Sequence, residues 1–171
     1  MSTLWSEEQE KLLLHINESR ALPIKPSVID IRKSKVPYVQ YLPSPIALHD
    51  MCVPCSLAIV NDKPLVEIFH TLCEYMADSG WMWNRLKCFQ PYLESQGYMQ
   101  LVRDNALKSL SGKTAHGLVA FFQHKEPTML VVTRNHMYPI IKGTVVDSWD
   151  SRNARALYVY MHKDELARIL A

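Results

Sequence analysis

The chain has few cysteines and glycines, no long apolar run and almost no net charge, and each shortage excludes something. Four cysteines in 171 residues are too few for a disulfide-stapled scaffold, so the thiols are expected to be reduced and available as ligands or nucleophiles. No window reaches the roughly 18 apolar residues of a membrane span. The opening MSTLWSEEQEKLLLHINESRAL also lacks the basic and then apolar regions of a secretory leader. A cytoplasmic protein with no membrane partner is the expectation. The net charge of +2, from 19 Lys and Arg against 17 Asp and Glu, supplies no field that would gather nucleic acid. One basic stretch exists, Arg20, Lys25, Arg32, Lys33 and Lys35 opposed by Asp30, and is expected to be solvated surface.

What is present is an ordinary globular composition, 48% hydrophobic and 21% charged, in a length that suits one domain. Ser6 and Gln9 form a capping-box pattern ahead of Leu12, Leu13 and Ile16, which predicts a helix over about 6–20. The stretch from Leu22 to Pro45 carries five prolines around SVIDIRK and VPYVQYL. It reads as short extended pieces on the surface of a core. Residues 1–45 are therefore expected to be an N-terminal helix and arm, and 46–171 the main domain.

From Cys52 the pattern turns helical. CVPCSLAIV is followed by KPLVEIFHTLCEYMADSG, whose apolar residues recur every three or four positions and which Gly80 ends. Pro64 suits the first helical position. CFQPYLESQGY and KTAHGLVAFFQHK predict two more helices. After Pro127 the period becomes two, and MLVVT, HMYPIIK, TVVDSW and ALYVYMH predict strands, with a tight turn at Lys142-Gly143 and a closing helix in KDELARIL. Helices followed by strands predict an α+β domain.

The pair Cys52 and Cys55 admits three readings. With His70 and Cys73 it makes a formal Cys3His zinc set, although Cys73 is expected on the apolar face of its helix as a small hydrophobe. As Cys-Val-Pro-Cys it is similar to a thioredoxin motif, which belongs between a strand and a helix in a βαβ unit, whereas here two helices are expected to follow with no strand between them. The third reading is a nucleophile at a helix N-terminus, served by a distant histidine and an orienting residue.

Strand parity supplies that pair. If Lys142-Gly143 is a two-residue turn, Ile141 pairs with Thr144, Tyr138 with Asp147 and His136 with Trp149. His136 and Asp147 then share one face as diagonal neighbours, roughly 7 Å apart, while Asp150 has the opposite parity. Trp149 beside His136 would shield their hydrogen bond from water. The bland alternative is a sheet histidine and a strand-end charge. His15, His70, His116 and His124 have no visible partners and are read as structural.

These residues resemble a known group. CVPCSLAIVNDKPLVEIFHTL is similar to the opening of small phage and bacterial papain-like cysteine peptidases, and VVTRNHMYPIIKGTVVDSWDSRNARALYVYMHK to their end; the resemblance covers about residues 50–163. The bacteriocin-processing members carry Cys-Gly-Pro-Ala-Cys-Leu-Ala with the first cysteine attacking, to which CVPCSLA is similar. Papain-like enzymes also have a His followed by Asn-Ser-Trp, and here Asp147-Ser148-Trp149 stands in that place.

The resemblance implies a papain-like α+β fold, with a helical N-terminal half opening on the nucleophile and a C-terminal antiparallel sheet carrying His and Asp. It implies a thiol hydrolase, a peptidase or amidase with a Cys52, His136, Asp147 triad and no cofactor or metal. The substrate would be a protein or peptide, of host or phage if the chain is phage-encoded. Cys55 is the rival nucleophile, because the second cysteine of a Cys-x-x-Cys attacks in some relatives. The oxyanion glutamine of the family falls on Ile46 or His49, so His49 and Gln40 are the candidate oxyanion or cleft residues, with Met51, Tyr138 and Trp149 as candidate cleft walls. The missing glutamine supports a second reading, an inactive papain-like scaffold that binds and inhibits a host factor.

Overall fold

The computed structural model describes residues 36–40, 51–102, 107–123 and 125–171. Within them lie five α-helices and a six-stranded mixed sheet. In chain order the strands are β1 (Tyr38–Gln40), β2 (Tyr98–Gln100), β3 (Met129–Val132), β4 (Met137–Ile141), β5 (Thr144–Asp147) and β6 (Tyr158–His162). The helices are α1 (Cys52–Val60), α2 (Leu65–Ser79), α3 (Leu86–Ser95), α4 (Ala115–Phe121) and α5 (Lys163–Leu170). Across the sheet the strands run β1-β5-β4-β3-β6-β2. Among the described residues no helix is long and apolar enough to cross a membrane.

The period-two pattern places alternate side chains on opposite faces of the sheet. Met129 and Val131 of β3, Tyr138 and Ile140 of β4 and Val159 and Met161 of β6 pack with Leu118 of α4 and Ile169 of α5. The intervening Leu130, Met137 and Tyr160 pack with Leu57 of α1, Leu72 of α2 and Phe89 of α3. Helices therefore cover both faces, which explains why β4 and β5 are buried along their whole length.

α1 is the central helix. Every residue from Val53 to Ile59 is buried, since one side meets the sheet and another meets α2. Pro54 costs little, because the first turn of a helix has no use for its missing N–H. α2 buries only Ile68 and Leu72 and ends on Gly80. That residue is left-handed at φ +70°, and its N–H bonds to the carbonyl of Met76.

Four expectations need correction. The sheet is not purely antiparallel or purely C-terminal, for β1 joins β5 in parallel and β2 joins β6 from the middle of the chain. Both strands have only three residues, too few to show a period. Within VPYVQYL, Tyr38–Gln40 are extended but are no surface piece: Val36 and Val39 are buried and β1 forms a sheet edge, so the sheet takes in residues from before position 46. Pro64 caps α2 instead of starting it. Cys73 is exposed, not buried on the apolar face. The helix expected over 6–20 and the basic stretch of 20–35 lie outside the described residues.

Candidate active site

Three elements meet at the end of the sheet where the chain enters β4. The β4–β5 hairpin turns on Lys142 and Gly143, both with positive φ (44° and 78°), the geometry of a two-residue primed turn. It pairs Ile141 with Thr144 and Ile140 with Val145, the register that strand parity requires. Consequently His136 and Asp147 meet: Nε2 of the ring lies 2.6 Å from Oδ2 of the carboxylate.

Asp147 is buried at 6% exposure and held from several sides. The N–H of Ser148 donates to Oδ1 at 2.7 Å, and the hydroxyl of Ser151 donates to Oδ2 at 2.5 Å. Its backbone is braced by β1, where the Tyr38 hydroxyl donates to the Asp147 carbonyl at 3.3 Å and the Gln40 amide to the Ser148 carbonyl at 3.1 Å. Asp150 takes a different partner. Arg152 grips it through Nε and Nη2 at 2.8 and 2.9 Å, which lowers the Asp150 pKa, and ties itself to the Val36 carbonyl at 3.0 Å.

The Trp149 ring stacks on His136 with centroids 4.0 Å apart and planes at 29°. It remains half exposed, so it covers the imidazole from solvent as a lid of one residue. Tyr138 stacks more loosely, at 6.1 Å. Its hydroxyl is buried without a hydrogen-bond partner among the described residues, and burial pushes its pKa up. Tyr138 is core, not cleft wall.

Cys52 approaches from the other layer. It is the first residue of α1, so its backbone N–H stands outside the helical ladder. The helix is set against β4 by the Ser56 hydroxyl, which donates to the Met137 carbonyl at 2.9 Å. Ser56 sits one turn after Cys52 and Met137 one residue after His136, so this buried bond sets the thiol against the imidazole. Nδ1 of His136, the nitrogen turned away from Asp147, is buried and has no hydrogen bond of normal geometry among the described residues.

The thiol of Cys52 nonetheless interacts with the ring. Burial disfavours the charged imidazole, but the hydrogen bonds and charges of Asp147 and then Cys52 outweigh it and raise the His136 pKa to about 9. Both Cys52 and His136 open onto a cleft of about 460 Å³. Cys55, three residues on, is buried with Val39, Ile59, Ile141 and Val146. The two thiols of the motif therefore face different surroundings.

The candidate zinc set does not assemble. Cys52 faces the cleft, Cys55 is buried, and Cys73 is exposed on α2, where His70 is exposed as well; among the described residues no group of three or more ligand side chains could hold a metal ion. Of the candidate oxyanion residues, Gln40 is bonded to Ser148 and does not line the cleft, and His49 lies outside the described residues. Met51 packs beside Cys55 rather than on the cleft.

Sequence reasoning missed Ser56, Ser151, Tyr38 and Arg152. Only Ser56 carried a signal, a hydroxyl inside an otherwise apolar helix, which must find a partner if buried. Compared with known proteins, the chain matches no family model, no curated protein and no solved structure.

Proposed function

We propose that the protein is a papain-like thiol hydrolase that cleaves a peptide or other amide bond with Cys52, His136 and Asp147. One observation carries the reading: Nε2 of His136 is bonded to a buried carboxylate, while the opposite nitrogen is buried with no hydrogen bond of normal geometry among the described residues and the Cys52 thiol acts on the same ring from the shared cleft. In a packed interior a ring nitrogen is ordinarily paired. One kept open beside a thiol suits proton exchange with sulfur.

In this mechanism the Cys52 sulfur attacks the carbonyl carbon as a thiolate. His136, protonated at Nδ1, delivers that proton to the departing amine, and a water then hydrolyses the thioester with the ring as base. Asp147 holds the Nε2–H tautomer and stabilises the imidazolium, the part the third residue of such triads plays. The N–H groups of Cys52 and Val53, unused by the helix, are the available donors to the oxyanion. Iodoacetamide at pH 6 tests the reading. Selective modification of Cys52, lost in Cys52→Ala and kept in Cys55→Ala, is expected; equal modification of both variants would sink it.

One observation favours a second reading, a scaffold that binds a host factor without turnover. Gln40 is spent on the Ser148 carbonyl, so it gives no side-chain donor to an oxyanion. Release of product from an amide substrate over many turnovers separates the two, since a binding scaffold stops at zero or at one equivalent.

A further inference from the structure

The cleft beside Cys52 and His136 is chemically lopsided. Among the described residues its lining contains Arg85 and Arg134, the amides Asn84 and Asn135, and apolar side chains such as Phe89 and Leu157, but no Asp or Glu. The two arginines also stand apart from the other described arginines. Arg152 is paired with Asp150, Arg168 with Glu165, and Arg155 donates to the Gly112 carbonyl. Arg85 and Arg134 alone among the described arginines have neither ion pair nor hydrogen bond from the side chain, and both face the cleft.

They reach it from separate parts of the chain on backbones that are held in place. Arg134 lies in the β3–β4 turn, which the N–H of Thr133 closes by donating to the His136 carbonyl at 2.8 Å, so its backbone is tied to that of His136. Arg85 caps α3, with its N–H donating to the Met82 carbonyl at 2.8 Å and its own carbonyl accepting from Cys88 at 2.9 Å. The start of α3 adds its partial positive charge to the same wall. Guanidinium groups with no partner among the described residues, set beside an apolar wall, are suited to a carboxylate borne on a peptide.

We propose that the cleft selects peptides carrying an Asp or Glu side chain near the bond to be cleaved, with Arg85 and Arg134 binding the carboxylate and Phe89 and Leu157 packing its apolar neighbours. The proposal rests on the thiol hydrolase reading for the word cleaved, but the recognition itself does not require turnover. It can therefore be tested in the Cys52→Ala protein, which cannot react.

The measurement is fluorescence anisotropy with three fluorescein-labelled hexapeptide pools of mixed apolar sequence, whose centre is Glu, Gln or phosphoserine. The Glu pool is expected to bind roughly tenfold more tightly than the Gln pool, the worth of one charge-assisted hydrogen bond, and to lose that advantage as salt is raised. Arg85→Gln and Arg134→Gln should each reduce the advantage and the double variant abolish it, with unchanged thermal unfolding showing that these exposed positions leave the fold intact. Equal affinity for Glu and Gln, or an advantage that survives in the double variant, would overturn the proposal. Binding of the phosphoserine pool alone would overturn it too, by making the ligand a phosphate. Failure here leaves iodoacetamide selectivity in the native protein untouched, and failure of that selectivity leaves the anisotropy result standing.

Discussion

On its Nε2 side the His136 ring meets a buried carboxylate that a serine hydroxyl, a backbone N–H and the edge strand β1 all help to hold. On its Nδ1 side it meets a thiol at a helix start and an open cleft lined by two arginines without partners among the described residues. The first region satisfies its polar groups within the protein, as a buried network must. The second leaves polar capacity, a buried ring nitrogen and two exposed guanidinium groups, open to something from outside. That contrast separates a part of the molecule built to hold an orientation from a part built to be used.

The largest effect should come from breaking the open side. Cys52→Ala is expected to reduce modification or turnover by at least about a thousandfold, the scale of losing one member of a triad, with little change in thermal stability, while Cys55→Ala should do the reverse because it empties a packed site. Comparing labelling rates and unfolding midpoints of the two variants checks this; similar profiles would dissolve the distinction between the thiols. Breaking the closed side comes next. Asp147→Ala strands His136, Ser148 and Ser151 and should cost about 3–5 kcal/mol of unfolding free energy, read from urea titration; a cost below about 1 kcal/mol would mean the network is not what holds the ring.

The charge state of the ring gives a smaller, pH-dependent effect. The folded pKa of His136 is raised to about 9 from an unfolded value near 6.5. The stability it contributes is therefore fully present below about pH 6.5 and lost as pH rises through about 9. Thermal unfolding of the native protein should weaken over that window, and His136→Gln should flatten the dependence; parallel curves would contradict the assignment. Ser151→Ala removes one of the bonds to Asp147 and should cost about 1 kcal/mol, while slowing labelling of Cys52 through a less constrained carboxylate and ring. Normal labelling in that variant would restrict Ser151 to a structural part.

The smallest change is expected at Trp149. It is half exposed, and Trp149→Ala loses a ring contact worth roughly 0.5–1.5 kcal/mol, so its effect on stability should be slight. Its effect on labelling should exceed its effect on folding, since it uncovers the imidazole to water. Equal and small effects on both would make the stack incidental.

How much of this was legible in the chain differs from residue to residue. The meeting of His136 and Asp147 followed from the Lys142-Gly143 turn and the parity of the strands on either side, because a two-residue hairpin leaves no freedom of register. Asp150 was set aside on the same ground and is found paired with Arg152. Which cysteine faces the histidine was not legible by parity, since Cys52 and Cys55 stand nearly one helical turn apart and their directions depend on how α1 lies against β4. The edge strand β1 was hidden for another reason: three residues are too short to carry a period, and their partner β5 is more than a hundred residues away.

Local rules thus determined the helices from Cys52 onward, the four strands from β3 to β6 and the pairing of histidine with aspartate. These features depend on periodicity and turn chemistry within a few residues of one another. The tertiary structure alone decided that β1 braces the aspartate loop, that Ser56 seats α1 on β4, and that Arg85 and Arg134 share a cleft. Each of those contacts joins segments far apart in the chain, and their geometry follows from the packing of whole layers, which no local pattern encodes.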